Sequence, residues 1–179
     1  TNYAGLTVIT IPERKLAVVP GFILHRHHLA PSPGPRFERY DVPRWIAVLE
    51  ELLEGERAVD GILCGTHNTD LWTRERAATH LHYIRTLWND VSRLEAEGLD
   101  LPEIQAKCSL DDGYAFVKEM QEYVDHGDRW IRPQHQSHVR LFFLQHKNPA
   151  AKILEDAGDE ALPAALADIR ERLAAGEEI

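Results

Sequence analysis

Between Gly61 and Gly98 the chain reads GILCGTHNTDLWTRERAATHLHYIRTLWNDVSRLEAEG, a short apolar run, a polar turn and a long amphipathic segment. Ile62, Leu63 and Cys64 are too few for a helix and suit a buried strand, and Gly65 to Thr69 are turn formers. After the turn, Ala77, Leu81, Ile84, Trp88, Val91 and Glu95 recur at helical spacing, and all but the last are apolar. This predicts a helix with one core-facing stripe, stopped at Gly98 as C-terminal glycines commonly do. His67 then falls in a turn at the C-terminal end of a strand, where α/β proteins often carry function.

A unit of this kind needs further strands, and the opening of the chain supplies few. Leu6, Val8, Ile9 and Ile11, interleaved with Thr7 and Thr10, form a β-branched run suited to a strand buried on both faces. Pro12 ends it, and Leu16 to Val19 follows across Pro-Glu-Arg-Lys, which predicts a hairpin. Two or three strands against four or more helices make a poor closed sheet. At 179 residues with 44% hydrophobic content the chain can bury a core as one α/β domain. Its strand count reads as half of a larger fold.

The remaining segments are mostly helical. Gly21 to Leu29 leads into a proline-rich loop, Pro31 to Pro35. Asp41 can cap a helix with Pro43 in its first turn and Trp45, Leu49, Leu52 and Leu53 on one face, ending at Gly55. Ser109-Leu-Asp-Asp is a capping-box-like start for a helix carrying Phe116, Met120 and Tyr123, closed by His126-Gly127-Asp128. Arg132 to His146 has Val139, Phe142, Phe143 and Leu144 as its apolar side. Residues 148–179 shift to Ala, Glu and Asp. There Leu162, Leu166, Ile169 and Leu173 predict a helical C-terminal extension to a unit spanning 1–147.

Charge and composition narrow the partners. A formal net charge of −9 without a basic stripe argues against nucleic acid. Cys64 and Cys108 form neither a disulfide framework nor a CxxC site, which suits a reducing compartment. No apolar run approaches the ~20 residues needed to cross a bilayer, and no secretion signal is legible. The expectation is a soluble, cytoplasmic protein.

Taken in order, LTVITIPERKLAVVPG, DVPRWIAVLEELLE, ILCGTHNTD and TRERAATHLHYIRTLWNDVSRLEAEG resemble the C-terminal half of metallo-β-lactamase-fold, glyoxalase II-like hydrolases, over roughly Thr1 to His146. They are similar to that family's strand, Pro-Glu turn and strand ending in Gly-Asp, then a helix, then a strand ending in Gly-His, then a second helix. YVDHGDRWIRPQHQSHVRLFF resembles the segment that follows. The family's HxHxDH signature belongs to the N-terminal half and is absent here. The position of the metal-bridging aspartate falls on Gly21, that of the histidine before the hairpin falls near Asn2, and the Gly-His pair is Gly65-Thr66-His67, one residue out of register.

The resemblance implies half of an αββα sandwich, completed by a second subunit that carries HxHxDH and holds most of a divalent metal site (zinc, iron or manganese) and most of the catalytic groups. It implies a heteromeric hydrolase in which activated water attacks an electrophilic carbon. That carbon is a carbonyl in an ester, lactone or thioester. In hydrolytic O-demethylation of a nitroaryl methyl ether, dinitroanisole to dinitrophenol and methanol, it is the ring carbon bearing methoxy, and the role is nitroaromatic degradation. Two other classes stay open: a non-catalytic structural subunit, and a stand-alone small-molecule binding domain.

Ten histidines are the main chemical resource. His25, His27 and His28 follow the hairpin, and His-x-His on an extended segment puts both rings on one side, as metal ligation needs. His67 carries over from the family's Gly-His strand end. These four are the candidate metal ligands; Phe22, His25 and Trp72 are the candidate substrate contacts. A solvated loop accounts equally for the first cluster, and a turn histidine bonded to backbone accounts for His67. His80 and His82 face different sides of their helix and read as structural or solvated. His135 and His138, at i and i+3, read as a helix-surface pair. Trp72, Tyr83 and Trp88 can wall an aromatic pocket, Trp88 more simply as core. Asp111-Asp112 complements a helix dipole, Glu50, Glu51, Glu54 and Glu56 form a solvated face, and no serine has a GxSxG context.

Overall fold

The computed structural model describes residues 8–19, 42–64 and 71–147. The hairpin predicted at the start is present: β1 (Ile9–Ile11) and β2 (Leu16–Val19) pair antiparallel, Ile9 opposite Val18 and Ile11 opposite Leu16. Pro12 begins the 3₁₀ turn Pro12–Arg14 between them, where its fixed φ is no cost. Lys15 closes the turn at φ 47°, its N–H donating to the Pro12 carbonyl at 3.0 Å.

Helix α1 (Val42–Glu54) buries Trp45, Leu49, Leu52 and Leu53, the face expected from their spacing. It crosses over to β3 (Gly61–Cys64), which lies parallel to β2 with Leu16 opposite Gly61 and Val19 opposite Cys64. A fourth strand, β4 (Leu71–Thr73), pairs antiparallel with β3 and completes a sheet in the order β1-β2-β3-β4. The sequence pattern predicts no strand there. Three residues running directly into a helix leave no periodicity to read, and the pairing with β3 is what makes them a strand.

Thr73 caps α2 (Arg74–Ala96), its hydroxyl accepting from the Arg76 N–H at 3.2 Å. The buried stripe contains Ala77, Leu81, Ile84 and Val91 as predicted, and also His80, Tyr83, Leu87 and Leu94. Trp88 is partly buried, its ring 5.9 Å from that of Phe142. Gly98 stops the helix at φ 89°. Next comes α3 (Leu101–Lys107), opened by a capping box in which Asp100 accepts from the Glu103 N–H and Glu103 accepts from the Asp100 N–H.

The helix expected from Ser109 is instead broken. Gly113 takes φ 92°, which ends any helical start there. A 3₁₀ segment Ala115–Glu119 and a short α4 (Gln121–His126) follow. Gly127 at φ 67° separates α4 from α5 (Asp128–Lys147), which begins four residues earlier than expected, with Pro133 inside it. Helix α5 packs against α2 and α3. No helix among the described residues is long and apolar enough to cross a membrane. The proposed helix within 148–179 lies outside the described residues.

Strand alternation sorts the sheet into two unlike faces. On one, Ala17, Val19, Ile62 and Trp72 are buried beneath the helices. On the other, the cross-strand register lines up Ile9, Val18, Leu63 and Leu71 in one row and Ile11, Leu16, Gly61 and Thr73 in the next. Here Ile9 is 53%, Ile11 38% and Leu71 56% exposed, and Leu16, Val18 and Leu63 are partly exposed. The side chains of Leu16 and Leu71 close over Gly61, where a Cβ would come within 2.9 Å of one and 3.1 Å of the other.

Candidate functional site

The parallel pairing of β2 and β3 brings two stretches of the sequence together. Val19 and Cys64 are register partners and the last residues of their strands, so the chain leaves both strands at one end of the sheet. The segment after β2 carries Phe22, His25, His27 and His28, and the segment after β3 carries His67. This is the end of a parallel strand pair at which α/β proteins gather ligands. Those five residues themselves lie outside the described ones.

Trp72 is described, and it sits in the core. Opposite Ile62 in the β3–β4 register, it is 2% exposed, with its ring edge-on to His80 at 5.0 Å and the Arg76 guanidinium 4.4 Å from the ring centroid. His80 is buried, also lying 5.9 Å from the Trp45 ring of α1. The three rings join α1, α2 and β4 behind the sheet. His82 is exposed against Phe116 at 5.1 Å, so the two histidines face different sides as expected. Beside β4 an open groove of about 520 Å³ runs between Leu71, Thr73 and Arg76 on one side and Glu119 and Met120 on the other.

The largest departure from the sequence reading concerns His135 and His138. They are not a surface pair: both are buried, at 0% and 1% exposure. The hydroxyl of Tyr83, itself fully buried on α2, is 3.0 Å from Nδ1 of each. His135 Nε2 lies 2.5 Å from the carbonyl oxygen of Cys108. A carbonyl only accepts, so Nε2 carries a hydrogen. Burial pushes the His135 ring down to about 4, so the ring is neutral and its Nδ1 is an acceptor. Tyr83 therefore donates to His135, and its oxygen accepts from the Nδ1–H of His138. The result is a directed chain from His138 through Tyr83 and His135 to the Cys108 backbone.

The surroundings keep this chain dry. The Tyr114 ring is 5.0 Å from His135, and its hydroxyl donates to Asp90 at 2.9 Å. Phe142 stacks on His138 at 6.5 Å. Burial raises Tyr83 and Tyr114 well above the ordinary phenol range and the Cys108 thiol to about 11, so all three are neutral and none is an activated nucleophile. The signal that could have found the cluster is spacing. His135 and His138 share the i, i+3, i+4, i+7 stripe of Val139 and Phe142, and a polar residue on such a stripe belongs to the core.

Among the described residues no group of three or more His, Cys, Asp or Glu side chains could hold a metal ion. Ion pairs there are structural. Glu95, the one charged position on the α2 stripe, meets His146 at 3.0 Å and also Lys147, which ties the C-terminal end of α5 to α2. Arg132 joins Asp128 and Asp111, each at 2.8 Å, and holds the turn after α3 against the start of α5. Compared with protein-family models, curated proteins and solved structures, the chain matches none.

Proposed function

We propose that this chain is one subunit of a heteromeric, metal-dependent hydrolase of the metallo-β-lactamase fold, in which a partner subunit lays a second sheet on the open face of β1-β2-β3-β4. The observation that carries the reading is that face. Its side chains are six aliphatic residues, a glycine and a threonine in two rows, with no charge among them. A parallel strand pair such as β2–β3 is normally covered on both sides. Sheets that cover one another pack about 10 Å apart through interdigitated aliphatic side chains, so an apolar sheet is the occupant that suits these rows. Hairpin, helix, parallel strand and helix also follow in the order that the sequence resemblance requires.

On this reading the described part of the chain is scaffold, and the chemistry belongs to the partner's HxHxDH and to the segments that leave β2 and β3. The described residues alone do not fit a metal. A divalent metal, zinc, iron or manganese, held mainly by the partner, supplies activation of water for attack on an electrophilic carbon. His25, His27, His28 and His67 are the ligands this chain can add; Phe22 and His25 are its substrate contacts. Trp72, buried behind the strand, acts by fixing β4 against α2. The substrate class is an activated ester or a nitroaryl methyl ether such as dinitroanisole.

The test is to co-produce this chain with a candidate partner carrying HxHxDH and to measure bound metal and release of dinitrophenol from dinitroanisole. The expected result is turnover by the metal-loaded pair and none by either chain alone. Turnover unchanged in His67→Ala, with weaker assembly, would make this subunit purely structural. A stable, metal-loaded lone chain would end the two-subunit reading.

A further inference from the structure

The Tyr83–His135–His138 chain has no part in the proposed chemistry, yet two helices and a turn converge on it. We propose that it is an acid-sensitive latch, which holds α5 and the Cys108 turn on α2 while His135 is neutral and releases them when that ring takes a proton.

Two N···O contacts of 3.0 Å converge on one hydroxyl, which has one hydrogen to give. In the neutral arrangement each contact has its hydrogen, one from Tyr83 and one from His138. His135 already uses its Nε2–H on the Cys108 carbonyl. A proton added at His135 Nδ1 turns the acceptor of the Tyr83 hydroxyl into a second donor facing it. The Tyr83 hydrogen must then turn away, and His138 Nδ1 can receive it only if its own hydrogen moves to Nε2, a second rearrangement inside the buried cluster. While His138 keeps its Nδ1–H, the hydroxyl has no acceptor within the cluster. A buried O–H without a partner is costly, and so is a buried cation.

Among the described residues that face it, none offsets that cation. From α2 come Tyr83 and Asp90, and Asp90 is engaged by the Tyr114 hydroxyl at 2.9 Å and by Arg93 at 3.2 Å. From the turn after α3 come Cys108 and Tyr114, both held neutral by burial, and Asp111, paired with Arg132 and Lys118. On α5 itself Arg132 repels a charged His135, and Asp128 is bound to Arg132. From α4, Tyr123 donates to Asp128. The sign follows. His135 has a folded value depressed below 6.5 to about 4, so the stability it confers is complete above the ordinary histidine range and is lost as pH falls toward the folded value.

The experiment is hydrogen exchange of the α5 amides in the whole chain at neutral and mildly acidic pH, corrected for intrinsic exchange. From about pH 7 to about pH 5 the opening constant of α5 should rise about 20-fold, from a folded value near 4 against an ordinary value near 6.5. Protection in α1 and β2 should change far less. In His135→Gln/His138→Asn, which keeps the Nε2 and Nδ1 donors without the titration, the rise should disappear. A flat wild-type profile, or the same rise in the variant, would overturn the proposal. If the variant does not fold, ¹⁵N shifts of the wild-type imidazoles decide. His135 as the Nε2–H tautomer, neutral until α5 opens, supports the latch; His135 titrating in the ordinary range with α5 still protected refutes it.

Discussion

Tyr83→Phe removes one oxygen and leaves two buried imidazole nitrogens short of a partner, so its cost exceeds that of one exposed hydrogen bond. The expected loss is about 1–3 kcal/mol in urea unfolding, against less than about 0.5 kcal/mol for removing the exposed ring of His82. Equal effects from the two changes would mean that Tyr83 serves only as volume. The same contrast explains what was hard to read at this scale. Trp45, Leu49 and Ile84 declare themselves core by being apolar, whereas His135 and His138 are core by position alone, and their residue type pointed to the surface; His80, open between a structural and a solvated role, is buried. Glu95 is the converse case. Its charge on an apolar stripe looked like the stripe's end, and it is the anchor for His146 and Lys147.

Between α2 and α3 the chain turns within a few residues, using Gly98 at φ 89° and the Asp100 capping box. No atom lies within 4 Å of a Cβ added at Gly98, so Gly98→Ala tests backbone strain without a clash. It should cost about 1–2 kcal/mol, the penalty of a left-handed conformation for an L-residue. Asp100→Ala should cost about 1 kcal/mol. Thermal melts of both variants check the figures, and a neutral Gly98→Ala would show that the turn relaxes. At this scale legibility followed pattern length. The hairpin, α1, β3 and α2 were all readable because runs of β-branched residues or several helical periods repeat in them. Asp100-Leu-Pro-Glu103 carries the spacing of a capping box in plain sequence. β4 exists through its pairing with β3, and Gly113 breaks the helix expected from Ser109, so these depend on contacts and backbone angles that local pattern does not carry, whereas the stop at Gly127 was legible. Of the candidate site, only Trp72 falls within the described residues, and its burial follows from the pairing of β4 with β3, which local pattern does not carry.

For the whole molecule the unequal faces of the sheet matter most. Helices seal one face, while Ile9, Ile11, Leu16, Val18, Leu63 and Leu71 leave the other aliphatic and partly open. Apolar area removed from water contributes about 25 cal/mol per Å², and in the proposed assembly these rows seat the partner's sheet. The account predicts that Ile9→Lys/Leu71→Lys, both at positions more than half exposed in this chain, leaves its own far-ultraviolet circular dichroism and melting temperature nearly unchanged. The most direct measurement is the solution mass of wild type and this double variant, each produced with a candidate partner carrying HxHxDH. A defined heteromer for the wild type and separate chains for the variant is the predicted result. A wild-type chain that stays monomeric and soluble beside its partner, or a variant that assembles as well as the wild type, would contradict it.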